Sequence, residues 1–173
     1  MKPGYSESSR VLAIGFVATL LVFVVSDAAW LTLYAIDMFQ REIGPLLRAQ
    51  PHFGAAAAFY VIYAVALTLL AVRPALELRS AQAATWRGAL LGLAAYATYD
   101  LTNYATLEAW SLTLALKDLG WGTFASGLAS IAGYLAAGRR MGGREARNGS
   151  RPLERVYDCR HQVAGTGRED SHI

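Results

Sequence analysis

Ala94-Ala-Tyr-Ala-Thr-Tyr-Asp-Leu-Thr-Asn-Tyr-Ala-Thr-Leu-Glu-Ala-Trp110 decides how the chain is read, because it places Asp100 and Asn103 inside an apolar run long enough to cross a bilayer. Insertion scales charge roughly 2.5 to 3.5 kcal/mol for an ionisable side chain at the centre of a membrane helix, so such a residue is seldom incidental. In a helix Tyr96, Asp100, Asn103 and Leu107 fall on one stripe at spacings of three and four, with Tyr99 and Thr106 beside it. A stripe of that kind belongs inside a bundle, away from lipid.

Working outward, three more apolar runs flank this one. Val11–Ile36 is about twice the ~7 to 15 residues of a signal-peptide core, so it reads as a first transmembrane helix. Asp27, Trp30 and Tyr34 recur at i, i+3 and i+7 and define its polar, inward face. Asp37–Phe53 then carries charges, Gly44-Pro45 and Pro51, which should end one helix and delay the next. Gly54–Val72 is a second span with Tyr60 and Tyr63, stopped by Arg73-Pro74. Gly88–Trp110 is the third, Ser111–Gly120 a short turn region, and Trp121–Ala137 the fourth. In that last run Gly122, Ser126 and Ser130 repeat at four, as do Ala125, Ala129, Gly133 and Ala137, rows that let helices approach closely. Spacing alone leaves open whether those rows serve packing within the chain or self-association.

The expected fold is therefore an all-α membrane protein, a four-transmembrane-helix bundle over residues 1–137, followed by a disordered basic tail over 138–173. Composition agrees, with 54% hydrophobic and 17% charged residues against about a quarter charged in an average soluble domain. A charge of +3 and a pI near 9.2 would suit a nucleic-acid binder, but eight of the sixteen basic residues lie after Gly138, outside the apolar part. No nucleic-acid partner is expected; the bilayer is, together with a small-molecule or lipid ligand and an optional second copy of the chain. The single Cys159 excludes an internal disulfide, and the three histidines are scattered, so neither metal nor cofactor is expected.

With four spans, both termini and the 73–87 loop share a side that holds nine basic residues when the distal tail is set aside, against three opposite. That asymmetry places both termini in the cytoplasm, for an inner-membrane, multi-pass protein. On this orientation Asp27 lies ~5 Å and Asn103 ~6 Å outward of the membrane centre, with Asp100 near it. Tyr60 and Tyr63 from the second span fall at the same two levels. Asp27, Trp30, Tyr34, Tyr60, Tyr63, Tyr96, Tyr99, Asp100 and Asn103 are thus candidates for one polar pocket that binds or moves a small molecule or a proton. Glu108 and Asp118 are expected to be solvated near the outer surface, and Trp110 and Trp121 to flank the outer turn at the membrane interface.

Two other functions stay open. Carboxylates with aromatic faces also suit an intramembrane isomerase or transferase acting on a lipid or isoprenoid. Alternatively, the polar groups serve only as interhelical glue, although such hydrogen bonds average only about 0.6 kcal/mol. No phosphate loop, nucleophile elbow or zinc-protease motif occurs. The motifs Asp27-Ala-Ala-Trp30-Leu31, Ile43-Gly44-Pro45-Leu46-Leu47, Phe59-Tyr60, Pro74-Ala75-Leu76, Gly88-Ala89-Leu90, Tyr99-Asp100-Leu-Thr-Asn103-Tyr-Ala-Thr-Leu107 and Asp118-Leu-Gly-Trp121-Gly122 resemble those of an uncharacterised family of small bacterial membrane proteins, a domain of unknown function. The resemblance covers about residues 11–137. It implies four membrane helices and no particular activity, and the tail lies outside it.

Overall fold

A computed structural model describes residues 5–149, and side-chain surroundings for 9–140. The described chain is helical, running as α1 (Tyr5–Trp30), a π-helical turn (Leu31–Ala35), α2 (Ile36–Ile43), a 3-10 turn (Gly44–Leu46), α3 (Phe53–Leu67), a second π turn (Thr68–Val72), α4 (Arg73–Leu78), α5 (Ala81–Thr106) and α6 (Leu112–Gly149). Because the short turns join helices end to end, these pieces make four columns, as the sequence predicts.

The columns are longer than the expected spans. The first runs unbroken through Asp37 to Leu46, and its 38 residues from Ser9 would measure roughly 57 Å, well beyond a ~30 Å hydrocarbon core. Charge does not end a helix that has already left the hydrocarbon. In α2, Asp37 and Arg41 stay exposed, whereas Met38 and Ile43 bury against Trp110, Leu114 and Ala115. The second column also passes its proline. Pro74 sits in the first turn of α4, where its missing N–H costs least, and the π turn over Thr68–Val72 accommodates the ring against the preceding carbonyls.

The remaining boundaries follow from caps. Arg79 takes a left-handed conformation (φ 51°) to close α4, and Ser80 Oγ accepts from the Ala83 amide at 3.2 Å to open α5, seven residues before the expected start at Gly88. His52 Nδ1 accepts from the Ala55 amide at 3.2 Å and opens α3. Ser111 Oγ accepts from the Leu114 amide at 3.1 Å, so α6 begins at Leu112, and the expected 111–120 turn is helix apart from Ser111. α6 also continues through Gly149, which makes the first part of the expected disordered tail helical; residues 150–173 lie outside the described residues.

Within residues 5–138, α6 is the column against which the others close. Ala125, Ser126, Ala129, Ser130 and Ala137 are fully buried, on the two small-residue rows seen in the sequence. Gly133 lies so close to α1 that an added Cβ would stand 2.1 Å from Thr19 Oγ1, and Gly88 and Gly92 of α5 press on Ser126 and Ser130 in the same way. Tyr63 of α3 reaches Ser126 Oγ at 2.8 Å. The small rows are therefore covered within the chain. A core of Phe23, Tyr63, Leu67, Ala125 and Ala129 fills the middle.

Large apolar side chains face outward, including Leu21, Val25, Ile62, Leu70, Leu90 and Phe124, each between 48% and 69% exposed. The two most apolar windows, in Ser9–Leu46 and Phe53–Leu78, are only 22% and 33% buried. Core helices of a water-soluble protein hide such windows; here they face outward, as lipid contact requires.

Candidate functional site

The inner polar groups gather around Asp27, Asp100 and Asp118. Asp27 follows Gly15, Thr19 and Phe23 at four-residue intervals on the buried face of α1, and is 8% exposed. Its Oδ2 accepts from the Tyr60 hydroxyl at 2.7 Å, which ties α1 to α3 as their similar depth predicts. Trp121 stands beside the same carboxyl and stacks on Trp30, with centroids 4.9 Å apart and planes 9° from parallel.

Asp100 is fully buried, and neither of its carboxyl oxygens has a hydrogen-bond partner among the described residues. Trp110 is the donor side chain next to it, and Asp118 is the charge within electrostatic reach. Asp118 in turn neighbours Trp30 and lies within electrostatic reach of Asp27. Each carboxyl is thus approached by an indole, yet among the described residues the Trp30, Trp110 and Trp121 Nε1 atoms complete no hydrogen bond.

Asp118 corrects an expectation: it is 7% exposed, whereas Glu108 is exposed as anticipated. Starting α6 at Leu112 explains the difference. Ala115, Asp118, Gly122, Ala125 and Ala129 then recur at three and four on one buried face. That spacing was legible in the sequence, but reading 111–120 as a turn hid it. The indoles beside the α5–α6 turn are packed against other side chains. Trp110 is 4% exposed because the extended first column packs Met38 and Ile43 over the α5–α6 turn, and Trp121 is half-buried against Trp30.

The other expected site residues fall into three groups. Tyr60 and Trp30 belong to the cluster. Tyr96 lies within electrostatic reach of Asp27 and Asp118, and its ring packs on the bare backbone of Gly122, where a Cβ would stand 2.2 Å from the ring. Tyr99 and Asn103 form a rim, with Tyr99 52% exposed, beside Asn103 and edge-on to Trp110 at 5.4 Å. Tyr63 is turned away into the core, bonded to Ser126 and 4.9 Å from the Phe23 ring. Tyr34, still 4.7 Å from Trp30, opens onto a separate surface cleft, because the π turn over Leu31–Ala35 shifts the helical phase just after Trp30.

Chemically, the cluster offers three carboxyls and several aromatic faces, and the charged groups acting on Asp100 and Asp118 are acidic. Among the described residues no group of three His, Cys, Asp or Glu side chains is close enough to hold a metal ion together. The carboxyls are neighbours spaced for separate contacts, suited to a cation spread over several atoms or to a proton passed between them.

Comparison with known proteins agrees with the architecture. No curated protein and no solved structure matches the chain. Residues 12–135, which contain every member of the cluster, match the family described as "Predicted membrane protein (DUF2177)". With well over half of its length inside that match, and with outward apolar faces on its long helices, the chain belongs to this family of membrane proteins.

Proposed function

We propose that the protein binds a small cationic species, the proton included, at the Asp27–Asp100–Asp118 cluster inside the membrane, and that binding at this depth serves its movement across the bilayer. The observation that carries this reading is Asp100, fully buried with neither oxygen hydrogen-bonded among the described residues. Isolating a charged carboxylate from water costs several kcal/mol even after relaxation, and fold stability gives no return when nothing among the described residues bonds to it. Its partner is therefore sought outside the chain. The aromatic rings of Trp30, Trp121, Tyr60 and Tyr96 around the carboxyls favour a cation over an anion.

The orientation proposed is the one with both termini on the cytoplasmic side of the inner membrane, supported by the nine-to-three basic asymmetry. Reporter fusions at the C-terminus test it, since a periplasm-active reporter that lights up there would reverse it. For the binding itself, proteoliposomes carrying an internal pH dye and an imposed pH gradient read proton movement, and uptake of tetraphenylphosphonium reads an organic cation. Wild-type protein should move one of the two, and Asp100→Asn should slow that movement at least tenfold while inserting normally. Equal rates for wild type and Asp100→Asn, or no movement of either probe by wild type, would sink the proposal.

A further inference from the structure

Beyond the carboxylate cluster, a cleft of about 230 Å3 opens where the first column meets the start of α6, lined by Leu33, Tyr34, Asp37, Met38, Arg41, Glu42 and Lys117. Its two cations and two carboxylates form no ion pair with one another among the described residues. Each of three is instead held by a neutral group. Lys117 Nζ donates to the Tyr34 hydroxyl at 2.8 Å and stands 5.3 Å from that ring's centroid. Arg41 Nε donates to the Asp37 carbonyl at 3.1 Å, and Glu42 accepts from Ser111 Oγ. Among the described residues the Asp37 carboxyl has no hydrogen-bond or ion-pair partner. Positions are thereby fixed without cancelling charge, which leaves both signs facing one space.

The cleft's surroundings narrow the ligand further. It lies beyond the apolar run of the first column that ends at Val25, and Leu33 on its wall is 83% exposed, as a side chain against lipid would be. Charges that follow an apolar stretch in this way mark the hydrocarbon–water boundary. The volume lies below the roughly 300 to 1,000 Å3 of pockets that enclose drug-sized ligands, which suits a headgroup-sized fragment.

We propose that this cleft binds a zwitterion in which a primary ammonium and a phosphate are joined by a short linker, as in the headgroup of phosphatidylethanolamine. The phosphate lies against Arg41 and Lys117, whose donors match its oxygens, and the ammonium donates to Asp37 and Glu42. The inference stands apart from the carboxylate cluster, since Asp27, Asp100 and Asp118 do not line the cleft. Headgroups lacking one half of this chemistry fit worse. An anionic glycerol headgroup offers the carboxylates hydroxyls but no positive charge, and a choline headgroup has no N–H to give them.

The test uses the full chain in detergent, offered an equimolar mixture of phosphatidylethanolamine, phosphatidylglycerol and phosphatidylcholine with identical acyl chains. Native mass spectrometry reads which lipid is retained. Wild type should favour phosphatidylethanolamine by about tenfold, the difference one charge-assisted hydrogen bond makes. The Asp37→Asn, Arg41→Gln variant should reduce that preference to about twofold or less, and Arg41→Lys should keep most of it. Lys117→Gln, at an exposed position, gives the same readout should the double variant fail to fold. Soluble O-phosphoethanolamine separates the two sources of this chemistry. Its displacement of retained lipid shows that the headgroup alone is recognised, whereas failure to displace, with the lipid preference intact, shows that the lipid is the ligand. Retention of phosphatidylglycerol or phosphatidylcholine by wild type as strongly as phosphatidylethanolamine, or an unchanged preference in the variants, would overturn the proposal.

Discussion

Replacing Gly88 by alanine should destabilise the bundle although it adds a single methyl group to a helix. The new Cβ would lie 2.2 Å from Ser130 Oγ, 2.6 Å from Ser130 Cβ and 2.7 Å from the Ser126 carbonyl oxygen. The hydroxyl can rotate away, but the Cβ and the main-chain carbonyl cannot. Ordinary contact begins at 3.4 Å, so the Ser126 carbonyl alone requires α5 and α6 to separate by about 0.7 Å, the difference between 3.4 and 2.7 Å. Separation also loosens Gly92 and Gly122, which share the interface and are equally close to their neighbours. Overpacking of this kind costs about 1 to 3 kcal/mol. Higher helix propensity for alanine offsets at most about 1 kcal/mol of that.

For a chain of this size a net loss of about 1 to 2 kcal/mol corresponds to a fall in Tm of roughly 2 to 8 °C. Thermal unfolding of the detergent-solubilised protein, followed by size-exclusion recovery after heating, measures it. Gly120→Ala is the matched control. No atom lies within 4 Å of its added Cβ, so only the propensity gain applies and Tm should hold or rise slightly. A Gly88→Ala protein as stable as Gly120→Ala would refute the α5–α6 packing on which this reasoning rests.

Other perturbations separate residues that hold the fold from residues that load it. Tyr60→Phe removes the hydroxyl that donates to Asp27 and should lower stability by about 1.5 to 3 kcal/mol, read as a lower midpoint in the same melt. Asp100→Leu should do the opposite, leaving stability equal or higher while proton or cation movement is lost, because it removes a buried carboxyl that bonds to nothing among the described residues. Ser111→Ala deletes both the cap of α6 and the hydroxyl donated to Glu42, and should cost about 1 kcal/mol, visible as a modest drop in Tm with lipid retention at the cleft unaffected or slightly reduced. Trp121→Ala breaks the stack with Trp30 and should shift the tryptophan emission to the red, whereas Trp86→Ala, at a 57% exposed position, should leave the buried emission in place.

Much of this molecule was legible in its residues. Four long apolar runs and Gly/Pro breaks between them specify a bundle of membrane helices, since backbone polar groups in lipid must be satisfied within each segment. Four-residue rows of small side chains on α6 announce close packing, and position along neighbouring columns brings Asp27 level with Tyr60, which donates to it at 2.7 Å. Helix ends were less legible. Asp37 and Pro74 look like terminators in a one-dimensional reading, yet α2 finds buried contacts for Met38 and Ile43, and a π turn makes room for the proline.

What only the tertiary structure decided is which groups meet. Periodicity reports the face a residue occupies on its own helix, and hydropathy its depth; neither carries the rotation of one column against the next. That rotation left Asp100 without a hydrogen-bond partner among the described residues, brought Asp118 within electrostatic reach of Asp27, turned Tyr63 toward Ser126 and sent Tyr34 out to a charged cleft. It depends on contacts of a few ångströms at Gly88, Gly92, Gly122 and Gly133, where the absence of a side chain lets α5 and α1 close on α6. The sequence by itself determined that costly carboxyls would sit in a membrane bundle. Their company was settled by the close packing of bare backbone against its neighbours.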